Sequence, residues 1–589
     1  SVLTPVTVTS ASTGREQALT VRVDVTRLSD RAGDAFEVKL PLYPDRAVER
    51  AAKVVTLAPG TTPLDAFPEA ARPGTASQRY VFTNQPGVLE LASSLDYLSA
   101  YPHGCLEQRL SQVYPDLVLG GLLKRLELDT RFTPQVQTSA RTLLEELGLH
   151  QDAAGTFGYW PGSEGNLQLT ASAVEFIAAA KKAGVPVDDK VLQRATAALK
   201  RALRRDFPGL WSEYRFNQQT AALRGLARIG ELDDNYAIEL FHNRASMDSA
   251  ALADLAVAMS ARPQVFQANL GTLEGELWDE LVFKLVKGNP VFDRLRRQRA
   301  GWSGLYLGSS AASVAAVWEA LLRVDANDPR HPQLRDALLA NAKASNGFGS
   351  TYDNRRAISA LGVWLDTGQA GTPKSTVTVA GQAELVLDDA KKAGRRVVEG
   401  EKAPTVTVGG APVGARLQVT YLPLQPGDKA EAKKEGLIVS RSLTRYPADG
   451  SAPVNVDGVA GQTLKVALGE VLEVHAQLTT DEARSHVALV VPFAAGLEPL
   501  NPALETSGSD AKPSQADSLT PTSVQRLDHE VRYAFTSLPR GTHTFHFRVR
   551  ASSEGSFVHP PPFAELMYRE EVRGRGVGER VVVTGSRQQ

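Results

Sequence analysis

Two changes of hydrophobic period constrain this chain more than any other feature. From Val6 to about Leu57 apolar and polar residues alternate, as in LTVRVDV (Leu19 to Val25), FEVKL (Phe36 to Leu40) and VVTL (Val54 to Leu57), the period of half-buried strands. From Val88 the spacing becomes three and four: Leu91, Leu95 and Leu98 share one face, then Leu106, Leu110, Val113 and Leu117 another, and helical sequence runs to about Leu365. After Pro373 alternation returns in TVTV (Thr376 to Val379), AELVL (Ala383 to Leu387), TVTV (Thr405 to Val408) and RLQVTY (Arg416 to Tyr421). The first β piece is short for an independent sandwich. The economical arrangement is one β domain whose halves close around a helical insertion. Ala58 to Pro86, rich in Pro, Gly, Thr and Ala, reads as a connection, and DKAEAKKEG from Asp428 as a linker. Beyond it LIVSRSLTRY, VLEVHAQL, HVALVVPF, VRYAFTSL and THTFHFRVR are spaced as in a second sandwich. The expected domains are 1–86 (first β half and connection), 87–372 (helical), 373–432 (second β half) and 433–589 (final sandwich).

Within the helical part a weak repeat occurs: GTFGYWPG (Gly155 to Gly162), GWSGLYLG (Gly301 to Gly308) and NGFGSTYD (Asn346 to Asp353), each followed by a helix rich in Ala and Leu. Such units bury their apolar faces only by stacking on neighbours, which predicts a solenoid or closed ring of helical hairpins. All six tryptophans fall here and are expected to be core wedges.

A chain of 589 residues exceeds the size at which one core stops growing, in keeping with several domains. With 65 basic and 66 acidic residues it has no global field to attract nucleic acid or an anionic membrane. No apolar run approaches the ~18 residues of a membrane helix. The start at Ser1, without Met and running into strand-like sequence, reads as an excised piece of something longer.

Cys105 is the single cysteine, so no intramolecular disulfide is possible. It stands in YPHGCLEQ, Tyr101 to Gln108. Tyr101, Pro102 and Gly104 break the preceding helix, so Cys105 is expected to start the next, where free N–H groups favour a thiolate. Three residues on, Gln108 projects beside it with Cβ atoms about 5–6 Å apart. Attack of sulfur on the carboxamide with loss of ammonia would give a thioester, an activated acyl group needing no cofactor. Spacing alone is weak, because C-x-x-Q arises by chance and a lone buried cysteine is ordinarily a small inert hydrophobe.

The whole octapeptide resembles the thioester segment of bacterial α2-macroglobulins, whose family is marked by PYGCLEQ-like and GCGEQ-like sequences. VPFAAGLEPLN (Val491 to Asn501), LPRGTHTF (Leu538 to Phe545) and PFAELMYREEVRGRG (Pro562 to Gly576) resemble that family's last domain. The resemblance covers nearly the whole chain. It implies an all-α α/α-toroid thioester domain inserted in a CUB-type β domain, followed by a macroglobulin-like β-sandwich. Cys105 becomes the thiol and Gln108 the acyl donor. Met567 and Tyr568 match a position that shields the thioester from water, against an aromatic wall that includes Tyr101. The implied function is that of the C-terminal portion of a broad protease trap, a single-use acylating inhibitor without cofactor or metal. A protease cuts a bait segment, the protein rearranges, and the exposed thioester acylates a lysine amine of the protease. The implied partners are those proteases and upstream macroglobulin-like domains bearing the bait. The implied location is periplasmic or otherwise outside the cytoplasm of a bacterium, any anchor belonging to a missing N-terminal region.

Bacterial members often have tyrosine where this chain has His103; two residues from Cys105 it could polarise the thiol, but it reads as a solvent-facing or hydrogen-bonded turn histidine. Glu107 is expected to face away from the reacting pair as a carboxylate favoured by the helix dipole. None of the ten histidines aligns with the acyl-transfer histidine of complement proteins. His543 and His546 would point to opposite faces of a strand, and Asp233 and Asp234 read as loop acids, so no metal site is expected. The rival readings are a scaffold or binding protein of the same fold whose thioester no longer functions, and a cysteine hydrolase. The segment after Cys105 resembles no papain-like or caspase nucleophile.

Overall fold

The computed structural model of the chain describes residues 17–585 except 43–45, 66, 129–132, 205–206, 208–209, 211–213, 287–288, 299–306, 368–372, 400–403, 447–450 and 504–507. The alternation before residue 17, most of the turn Gly301 to Gly308, Trp211 and Trp302 lie outside the described residues.

Strands from before and after the helices interleave. One antiparallel sheet runs in the order Ala393–Glu399, Ser77–Thr83, Val413–Tyr421, Glu49–Leu57, and a second Leu385–Leu387, Ser375–Val379, Thr405–Gly410, Gly60–Pro63. Tyr80, Phe82, Val379, Leu385, Val406 and Leu417 form the core between them. The helices are therefore an insertion into one β body. Two expectations need correcting. Ala58 to Pro86 is not a mere connection, since Ser77–Thr83 pairs on both of its edges. Its Pro and Gly residues crowd the loop ahead of the strand and hide a seven-residue strand that does not alternate. Conversely, Gln17–Thr26 and Gly33–Leu42 pair with each other and, among the described residues, with neither sheet. This hairpin leaves Val25, Phe36 and Val38 exposed, so the β body begins near Glu49.

The helical part holds α1 (Val88–Ala100), α2 (Leu106–Arg125), α3 (Thr133–Glu146), α4 (Leu167–Lys182), α5 (Asp189–Ala202), α6 (Arg215–Arg228), α7 (Asp234–His242), α8 (Ser249–Met259), α9 (Pro263–Asp279), α10 (Ser310–Val324), α11 (His331–Leu339) and α12 (Thr351–Asp366). The even-numbered helices pack each on the next, and α12 returns to α2, closing a ring with α3, α5, α7, α9 and α11 outside it. Composition explains the two layers. α10 is buried without a break from Ala311 to Leu322, with alanines that allow close approach, whereas α5 buries only Ala195, Ala198, Leu199 and Ala202, a single face. Among the described residues no helix is long and apolar enough to cross a membrane. Asp233 is not loop chemistry: it caps α7, accepting from the Asn235 and Tyr236 N–H groups.

The last body packs a six-stranded sheet centred on Arg484–Pro492 and Phe563–Leu566 against a five-stranded sheet centred on Val471–Thr480. Its core includes Leu478, Leu489, Phe535, Phe545 and Phe547. The expected linker belongs to it. Lys433–Glu435 is an edge strand on Arg569–Arg575, and buried Asp428 accepts from Arg580 Nε at 2.8 Å. The charges in DKAEAKKEG are those of a protected sheet edge.

Candidate functional site

The site forms where α1 stops. Tyr101 caps α1 in an extended conformation, no regular element forms through Gly104, and Cys105, itself extended with a ψ of 161°, caps α2. The two ends of Cys105 and Gln108 satisfy each other: the Gln108 N–H faces the cysteine side chain, and Gln108 Oε1 accepts from the Cys105 N–H at 3.2 Å. This reciprocal box uses donors that a helix start leaves free. The turn Gly155 to Gly162 fixes the register, since the Tyr159 carbonyl accepts from the Leu106 N–H at 2.9 Å. Cys105 and Gln108 are 1% and 0% exposed, so the pair is sealed from water.

The seal comes from the last sandwich. Tyr568 places its hydroxyl 3.7 Å from Cys105 Sγ. Tyr101 OH donates to the Met567 carbonyl at 2.5 Å and accepts from Gln108 Nε2 at 3.4 Å. His103 is buried and bonds Glu565 at 2.5 Å, and Arg532 reaches the Pro102 carbonyl at 3.5 Å. Met567 shares a small hollow with His103, Gly104 and Trp160. The structure thus brings Cys105, Gln108, Tyr101, Met567 and Tyr568 into one cluster across a boundary between two bodies.

Residues 436–571 match the bacterial alpha-2-macroglobulin MG10 domain. An alpha-2-macroglobulin of Xylella fastidiosa is 26% identical over 521 residues, 84% of this chain and 30% of that protein. A homologue from Nostoc sp. is 24% identical over 480 residues, 75% of this chain and 23% of that protein. These matches make the chain similar to the C-terminal part of bacterial alpha-2-macroglobulins. It spans about a quarter to a third of the length of those two relatives. The crystal structure of native Escherichia coli alpha-2-macroglobulin from domain MG7 to the C-terminus superposes with a TM-score of 0.72 at 19% identity, covering 96% of this chain and 88% of that one, a likeness of fold.

Two expectations about this site change. The Cys105 thiol is not poised as thiolate: burial, reinforced by the Glu107 charge, pushes it up to about 12. Glu107 does not face away; it is 2% exposed and accepts from Ser111 Oγ at 2.7 Å, Thr351 Oγ1 at 2.6 Å and Tyr568 OH at 3.0 Å. The helix-dipole argument misplaced it because Cys105 is the cap, not a helical residue, and the start of α2 is largely buried. His103 is the hydrogen-bonded turn histidine of the two readings, not the solvent-facing one, and its partner Glu565 lies across the boundary between the bodies. His486 was missed altogether. Its ring meets Tyr159 and Tyr568 edge-on, both at 5.0 Å, and its carbonyl accepts from the Met567 N–H at 2.8 Å. It holds a left-handed backbone (φ 54°) that turns this carbonyl toward Met567. The repeat offered a signal for the rest: two of its glycine turns converge here, one bringing Tyr159 and the other Thr351.

Proposed function

We propose that Cys105 and Gln108 close an internal thioester, and that the chain is the C-terminal portion of a single-use trap that acylates attacking proteases. The observation that carries this reading is the dry reciprocal pairing of Cys105 with Gln108 beneath Tyr568. A thioester open to water hydrolyses, so its shield must come from a body able to withdraw, and the last sandwich is one. In this reading the helical ring is an α/α-toroid, the two interleaved sheets are a CUB-type domain, and the sandwich is the gate. Bait and trigger belong to upstream macroglobulin-like domains. The hairpin of Gln17–Thr26 and Gly33–Leu42, with its exposed Val25, Phe36 and Val38, suits an edge that such a domain would complete. The partner chemistry is a lysine amine, which attacks the acyl carbon of Gln108 and expels the Cys105 thiol, leaving an isopeptide bond. The fitting location is periplasmic or otherwise extracytoplasmic.

Intact mass spectrometry tests this directly. Freshly isolated protein should be lighter than its sequence by one ammonia, with no titratable thiol until methylamine is added. A full sequence mass with a freely titratable Cys105 would refute the bond and favour a scaffold of the same fold.

A further inference from the structure

Glu107 has no part in a reaction that needs only a thiol and a carboxamide, yet the fold seals it beside both. Burying a carboxylate is costly unless its oxygens are hydrogen-bonded. Here the donors are three hydroxyls, and one of them, Tyr568 OH, arrives from another body. Tyr568 has a single phenolic proton and gives it to Glu107 Oε2. Its oxygen therefore faces Cys105 Sγ as an acceptor. The geometry is a continuous path: thiol, phenol, carboxylate.

Taking the thioester reading as its premise, we propose that Tyr568 and Glu107 are the proton relay by which the thioester is made. The thiol proton passes to the Tyr568 oxygen as the phenolic proton passes to Glu107. Sulfur then attacks the Gln108 side-chain carbon, whose oxygen is already held by the Cys105 N–H, a donor aimed where negative charge develops. The carbon–nitrogen bond breaks, the proton passes back from Glu107 by way of the Tyr568 hydroxyl to nitrogen, and ammonia leaves. One S–C bond forms, one C–N bond breaks, one proton moves from sulfur to nitrogen, and nothing is oxidised or reduced. A thiol pushed up to about 12 is a poor nucleophile without such an acceptor. Tyr568 touches the reacting sulfur and is a catalytic residue of this step; Glu107 acts through it. Because Tyr568 belongs to the last sandwich, docking of that sandwich creates the bond as well as guarding it, and withdrawal removes the machinery that could remake it.

The test compares the full chain, wild type against Tyr568→Phe and Glu107→Gln, by intact mass, thiol titration, thermal melting and peptide mapping of position 108. Phenylalanine keeps the ring over the site and removes only the hydroxyl. A bond never made leaves glutamine at position 108, whereas a bond made and then hydrolysed leaves glutamate there, so making and guarding are read separately. The expected result is a wild type lacking one ammonia. In both variants thioester content should fall roughly tenfold or more, with glutamine at 108, a free thiol and a near wild-type melt. Thioester or glutamate at 108 in Tyr568→Phe, at the wild-type extent, overturns the relay while leaving the thioester reading intact. A wild type of full mass overturns both. Should Glu107→Gln fail to fold, Tyr568→Phe decides, since it disturbs neither Ser111 nor Thr351.

Discussion

Met567 is tied to the helical body through its carbonyl, which takes the Tyr101 hydroxyl, while its N–H bonds the His486 carbonyl of its own sandwich. Met567→Ala keeps both bonds and loses only the side chain that fills the hollow beside Trp160. Truncating a buried methionine costs about 2–5 kcal/mol; about 2 kcal/mol of that falling on docking raises the open population roughly 30-fold. Thiol release in methylamine should accelerate by at least about tenfold, with a small change in melting; an unchanged release rate would show that Met567 only packs. His486 gives a pH dependence. Burial holds its imidazole down to about 4 from an ordinary 6.5, and the groups facing its ring are two tyrosines that burial keeps neutral. As pH falls below 6.5 the exposed imidazole takes up a proton first, so the docked form loses stability between pH 6.5 and 4 and levels off below, by about 3 kcal/mol in all. Melting midpoints across that window should therefore drop further in wild type than in His486→Phe, and parallel curves would exclude His486 as the cause. The pairing of Cys105 with Gln108 was readable because a spacing of three and a helix start define it. Glu107, Tyr159 and His486 were not, since their places depend on a cap conformation and on bodies far apart in sequence.

The glycine turns that punctuate the helical part have a steric basis. Gly347 adopts φ 59°, and a Cβ there would lie 2.2 Å from Asn354 Oδ1 and 2.5 Å from Ser94 Oγ. Asn354 is committed to three carbonyls and the Phe348 N–H. It cannot step aside cheaply. Gly347→Ala should destabilise the chain by about 2 kcal/mol or more, through backbone strain and lost bonds. The turn also positions Thr351, so thioester content should fall with it; a wild-type melt in this variant would contradict the close approach. At this scale the period of hydrophobic residues told helix from strand reliably, because it reports which faces are buried. It failed for Ser77–Thr83, where an adjoining Pro and Gly loop dominated the composition, and for Lys433–Glu435, where an edge strand wears the charges of a linker.

Across the whole molecule, a buried ion pair fastens the helical ring to the β body. Arg416 in Val413–Tyr421 is 1% exposed and pairs with Asp96 of α1 at 2.5 Å, while also donating to the Ala344 carbonyl at 3.0 Å. The chain enters and leaves the ring side by side, where Asn84 donates to the Pro373 carbonyl. Arg416→Leu leaves Asp96 and that carbonyl without this partner, at a cost of about 3–5 kcal/mol. Hydrogen exchange should quicken in α1 and in Ser77–Thr83 well before the last sandwich responds; uniform protection would show that the pair is not a fastening. Nesting of the ring between two β halves could be read from the order of periods along the chain. Closure of six helices could not, because it depends on α12 meeting α2 across the full length of the insertion.

Tyr568 lies 463 residues after Cys105. At about 5–20 residues per second, a ribosome finishes Tyr568 roughly half a minute to a minute and a half after Cys105. If the bond needs Tyr568, a nascent or truncated chain carries an unarmed thiol and an ordinary glutamine throughout that interval. The order of synthesis then acts as a safety catch: the warhead is assembled only by a chain long enough to hold it, and an incomplete product has nothing reactive to spend on its neighbours.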